Sequence, residues 1–105
     1  MSNLSWAMQE LRFESLSKQG RIEWLASLLY LLSMLARDTY QVGTDGVVEP
    51  DQLRRFNELI HRTASFLGQV VHDKQSIPLK SFFLLLERET ASLKIDQSDL
   101  LGRLQ

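Results

Sequence analysis

The 105-residue chain contains no cysteine, only two prolines and only five glycines. Without cysteine there is no disulfide scaffold, no thiolate metal site and no thiol nucleophile. Pro50 and Pro78, with Gly20, Gly43, Gly46, Gly68 and Gly102, form no repeat or low-complexity tract; they divide the chain into helix-length blocks. A surplus of either charge is also missing. Twelve Lys and Arg face thirteen Asp and Glu, a formal net charge of −1. Broad attachment to nucleic acid or anionic lipid rests on a clear cationic excess, so no nucleic acid and no membrane is expected as partner. Long hydrophobic runs are absent too. The most apolar stretch, residues 24–36, is broken by Ser27 and Ser33 and bracketed by Arg21/Glu23 and Arg37/Asp38, whereas a membrane span needs roughly 20 apolar residues. Residues 1–6 carry neither the basic n-region nor the apolar h-region of a secretory signal, and a cytoplasmic location is expected.

What is present reads as a single α-helical domain over residues 1–105: an all-α bundle of four to five helices around a central apolar helix at about 21–40. Hydrophobic residues make up 44% of the chain, enough for a core and too much for a disordered tail. The first block, about residues 3–16, carries Leu4, Met8, Leu11 and Leu16 at helical spacing, with Ser2 or Asn3 as N-cap. A break is expected near Gly20. The second block places Ile22, Leu25, Leu29, Leu32 and Ala36 on one face and Trp24, Leu28, Leu31 and Leu35 on the adjoining one. Only a strip with Glu23, Ser27, Tyr30, Arg37 and Asp38 is left for water. Such a helix must be covered from two sides, by other helices or by a second copy. The third block, about residues 50–73, opens with Pro50 and Asp51, both suited to a first turn. Its apolar stripe is Leu53, Phe56, Ile60, Ala64, Leu67 and Val71, with Gly68 either permitting a close approach or merely tolerated. The fourth runs from Ser76 or Pro78 to about Leu93 and turns Leu79, Phe82, Phe83, Leu86 and Leu93 inward. Asp96 followed by Asp99 signals a short last helix with Leu100, Leu101 and Leu104.

Little of this carries chemistry. The stretch 41–49 contains Gly43-Thr44-Asp45-Gly46, but neither register of a calcium loop works. With Gly46 at position six, the first, third and twelfth positions are Gln41, Gly43 and Gln52; with Gly43 there, Tyr40 and Val42 occupy ligand positions. A chain-reversing glycine turn is the expectation. His61 and His72 stand about 16 Å apart along one helix, too far to share a metal, and no metal or cofactor is expected. Glu58, His61 and Ser65 line one flank at i, i+3 and i+7, without an oxyanion hole, since the helical amides there are already used. Local pairs such as Arg54 with Glu58 are expected instead. Arg54, Arg55, Arg62 and Lys74 share the helix with Asp51, Glu58 and Asp73, so their fields are expected to cancel.

One segment, Asn57-Glu58-Leu59-Ile60-His61-Arg62-Thr63, resembles the segment around the phosphoacceptor histidine in a group of sensor histidine kinases. Histidine phosphotransfer domains also carry an acceptor histidine in mid-helix of an all-α bundle of this length. The resemblance implies an exposed imidazole at His61 that attacks an aspartyl phosphate or ATP. Ala64-Ser65 stands where the kinase segment continues Lys-Asn, and where phosphotransfer domains carry Lys-Gly.

These features lead to the expectation of a non-enzymatic interaction or assembly module that self-associates as a homodimer or meets another helical protein. Its candidate interface is Trp6, Phe13, Trp24, Leu28, Leu31 and Leu35, with Trp6 and Phe13 on an exposed or partner-covered outer surface. The alternative is a phosphoacceptor domain using His61, with Asn57, Glu58, Arg62 and Ser65 as its polar flank.

Overall fold

Five helices follow one another among the described residues of the computed structural model: α1 (Trp6–Ser15), α2 (Lys18–Val42), α3 (Pro50–Val71), α4 (Leu79–Ser92) and α5 (Gln97–Arg103). The structure describes residues 5–42, 50–74 and 77–104, without the side chains of 39–42 and 50. No strand occurs among the described residues, and the protein is an all-α bundle. The glycine turn at 43–46, the cap candidates Ser2 and Asn3, and Ser76 at the expected start of the fourth block lie outside the described residues.

The helix ends follow local chemistry. Ser5 starts α1, its hydroxyl accepting the Met8 amide at 3.2 Å. The break after α1 comes at Leu16, which is extended, and not at Gly20. Ser17 then caps α2, its Oγ accepting from the Gly20 amide at 3.1 Å and its carbonyl from Arg21 at 2.8 Å. Gly20 is thus inside the first turn of α2, where a good N-cap overrides its low helix propensity. Asp96 opens α5 by accepting from the Asp99 amide at 3.1 Å, the start that the Asp pair signals.

Both α3 and α4 end in the same motif. After α4, Ile95 N–H donates to the Thr90 carbonyl and Lys94 N–H to that of Ala91, each at 3.0 Å. After α3, Lys74 donates to Gln69 at 2.9 Å and Asp73 to Val70 at 3.3 Å. This is the Schellman pattern, which needs a left-handed residue just past the helix. Lys94 (φ 59°) and Asp73 (φ 54°) hold those positions without being glycine.

Packing runs in a ring: α2 against α3, α3 against α4, α4 against α1, and α1 back against α2. Lys18 meets Asp73 across the α2–α3 pair at 2.8 Å, which makes the two long helices antiparallel. Leu100 of α5 borders the same cleft as Leu31 and Leu35 of α2. The centre is aromatic. Phe83 touches Trp24 at 5.4 Å, Phe13 at 5.7 Å, Phe82 at 5.9 Å and Trp6 at 6.4 Å, while Phe66 stacks flat on Phe82 at 4.1 Å and 4°. Edge-to-face and stacked pairs of this kind add to the area they bury.

Two apolar stripes face other directions than their aliphatic spacing predicts. In α1 the buried positions are Trp6, Gln9 and Phe13, whereas Met8 and Leu11 are exposed, Leu11 by 61%. The aromatic rings bury more area than the leucine and methionine, and Gln9 survives burial because its amide oxygen accepts the Trp24 indole N–H at 3.3 Å. In α3 the core side is Phe56, Leu59, Thr63, Phe66 and Val70, roughly 80° round the helix from the stripe through Ile60 and Ala64. Thr63 is admitted because its hydroxyl donates to the Leu59 carbonyl at 2.8 Å.

The apolar surface of α2 is largely covered within the chain, with Leu29, Leu31, Met34 and Leu35 half-buried. Trp24 and Leu28 belong to the core, and Leu31 and Leu35 pack half-buried against it. The expectation of an outer surface at Trp6 and Phe13 is corrected: both are buried, Phe13 completely, against Trp24 and Phe83. Arg21 fastens this junction, donating from Nε to the Phe13 carbonyl at 3.2 Å and from Nη2 to that of Glu14 at 2.8 Å. It thereby supplies a donor to the Glu14 carbonyl and a second one to that of Phe13 at the C-terminal end of α1.

Candidate functional site: the polar groove between α3 and α4

The antiparallel pairing of α3 and α4, fixed by the Phe66–Phe82 stack at one end, brings two polar flanks together at the other. From α3 come Arg54, Arg55, Glu58 and Arg62, one side of a helix whose opposite flank is apolar. From α4 come Arg88, Glu89 and Ser92, spaced i, i+1 and i+4 beside the buried Leu86 and Thr90. Buried Leu59 and half-buried Leu85 form the floor of the resulting groove, about 450 Å³ in volume.

The groove is held open by few contacts. Arg55 Nη1 donates to the Ser92 hydroxyl at 2.6 Å, joining the two walls. Arg62 pairs with Glu58 at 3.0 Å along α3. Arg54 pairs with Asp51 at 3.2 Å, not with Glu58 as the sequence suggested, because Glu58 is taken by Arg62 one turn on. Arg88 forms no hydrogen bond or ion pair with any described residue. These ion pairs are exposed and each contributes little to stability.

Of the sequence-derived cluster, Asn57, Glu58, His61, Arg62 and Ser65 all lie exposed on α3, but only Glu58 and Arg62 are bonded to each other. His61 points away from the core, roughly 140–180° round the helix from Phe56, Thr63 and Phe66, and outside the groove. No His61–Ser65 hydrogen bond is formed, so there is no base–nucleophile pair. Among the described residues no group of three His, Asp or Glu could hold a metal ion, and no helix is long and apolar enough to cross a membrane.

The α4 half of the groove, Arg88, Glu89 and Ser92, escaped sequence reading. The available signal was its i, i+1, i+4 spacing on one flank of α4, which means nothing until α4 is known to lie against α3. The chain matches no protein-family model, no curated protein and no solved structure.

Proposed function

We propose that the protein is a small, non-enzymatic helical interaction module whose contact surface is the α3–α4 groove. The supporting observation is Arg88, a guanidinium at the rim of the groove that is bonded to nothing in the chain's own described residues. A helical pair that presents an unengaged arginine at its groove suits protein recognition, where arginine is enriched among the residues that carry affinity. The partner expected from the sequence was a second copy or another helical protein. With Trp6, Phe13, Trp24 and Leu28 buried inside the chain, only the half-buried Leu31 and Leu35 of the expected interface are left for a homodimer.

A photocrosslinking amino acid at position 88, compared with one at the exposed Tyr30 of α2, tests this in cells. Crosslinks that form from position 88 and not from position 30 are expected, and the product mass separates a second copy from another protein. Equal crosslinking from both positions, or none from 88, overturns it.

A second reading keeps His61 as a phosphoacceptor. Its support is an exposed imidazole in mid-α3 that bonds to no described residue, with the small exposed side chains Ala64 and Ser65 one turn on. In that reading an imidazole nitrogen attacks the phosphorus of an aspartyl phosphate, a P–N bond forms and the carboxylate leaves. Incubation with phosphorylated receiver proteins decides it: an acid-labile label lost in His61→Gln supports the reading, and no label removes it.

A further inference from the structure

The near-neutral charge of the chain hides a segregation. Four arginines and two glutamates line the groove, a local sum of +2. The chain total of twelve cationic and thirteen anionic residues therefore leaves eight against eleven elsewhere, a sum of −3. The arginines that the sequence shows cancelling within α3 are joined by Arg88 from α4, and one of them, Arg55, spends its hydrogen bond on the neutral hydroxyl of Ser92. Arg54 is paired with Asp51 and Arg62 with Glu58, so the groove's cations without a carboxylate partner are Arg55 and Arg88, with Glu89 beside them.

Resting on the interaction reading above, we infer that the groove binds an acidic peptide segment of a partner protein, with carboxylates on Arg55 and Arg88. Guanidinium forks match carboxylates in paired geometry, which favours such a segment over a diffuse counter-ion cloud. Arg54 to Arg62 is about 12 Å along α3, the reach of about two helical turns or four extended residues of a ligand. Glu58 and Glu89 stand inside the groove and oppose a continuous phosphodiester backbone more than a peptide, whose carboxylates are spaced apart and whose backbone N–H groups donate. A nucleic acid also needs more cationic contacts than two net charges supply.

The test is fluorescence anisotropy with a labelled peptide of about ten residues, glutamate and aspartate interspersed with leucine, against a basic peptide of equal length and a labelled oligothymidylate. Saturable binding of the acidic peptide alone is expected. It weakens about tenfold in R55E/R88E, weakens several-fold as salt rises, and strengthens about threefold in E58Q/E89Q. If the double reversal unfolds the chain, R88E alone carries the same reading, because Arg88 bonds to no described residue. Acidic-peptide affinity indifferent to both charge changes, or preferential binding of the oligothymidylate, overturns the inference. Crosslinking from position 88 to a partner segment without carboxylates removes this inference and leaves the interaction reading standing. Absence of any crosslink from position 88 removes that reading itself.

Discussion

Trp6 donates its indole N–H to the side-chain oxygen of Gln97 at 2.6 Å, closing a contact between α1 and α5 across 91 positions of sequence. The first and last helices are therefore linked by one polar bond at the edge of the aromatic core. Gln97→Ala leaves a buried indole donor without its partner and is expected to cost about 1–3 kcal/mol. Trp6→Ala also removes the ring beside Phe83 and is expected to cost about 3–5 kcal/mol. Urea titration of the two variants measures both values, and equal losses would show that the hydrogen bond, not the ring, dominates.

Lys94 holds a left-handed conformation that a side chain disfavours by about 1–2 kcal/mol. The Schellman bonds around it use only backbone, so Lys94→Gly keeps them and relieves the conformation. A gain of about 1 kcal/mol is expected, read as a raised urea midpoint at unchanged slope. Asp73 is the less suitable position, since its carboxylate also meets Lys18.

Glycines 20 and 68 are both helical but answer differently to a methyl group. A Cβ at Gly68 meets nothing within 4 Å, so Gly68→Ala is expected to stabilise by about 0.5–1 kcal/mol. A Cβ at Gly20 falls 3.2 Å from the Leu16 Cβ, at the connection between α1 and α2. Gly20→Ala is expected to gain less than Gly68→Ala or to lose stability. Thermal melts of the two variants side by side check the order.

His61 and Phe66 are five residues apart on α3 and at opposite extremes of burial. His61→Ala is expected to change stability by less than about 0.5 kcal/mol, as for an exposed side chain without partners. Phe66→Ala removes the ring stacked on Phe82 and is expected to cost about 3–5 kcal/mol. A large loss at His61 would mean that the imidazole supports the fold.

The helix pattern was legible because it is written in local chemistry. Asp96 and Asp99 mark the start of α5, Leu100, Leu101 and Leu104 mark its buried side, and the break before α2 was misplaced by only a few residues. The direction each helix faces was less legible, for a physical reason. Gln9 and Thr63 read as polar in a sequence, yet each is buried with its hydrogen bond made to a neighbour. Counting aliphatic positions alone therefore turned α1 and α3 toward Leu11 and Ala64. The α3 wall of the groove, with Glu58 and Arg62, was visible as a polar flank. Its α4 wall was not, because Arg88 and Ser92 acquire meaning only from the antiparallel docking that places Ser92 against Arg55.

The ring cluster around Phe83 makes the molecule optically self-reporting. Its two tryptophans, Trp6 and Trp24, lie on that one phenylalanine from different helices. Indole emission therefore comes wholly from the shared centre of the bundle and reddens when that centre admits water. Emission colour and helical ellipticity must change together if the bundle melts as one unit. If α1 peels away first, Trp6 is released and Trp24 loses the Phe13 ring and its Gln9 hydrogen bond, so the colour shifts while most of the helix signal is still in place.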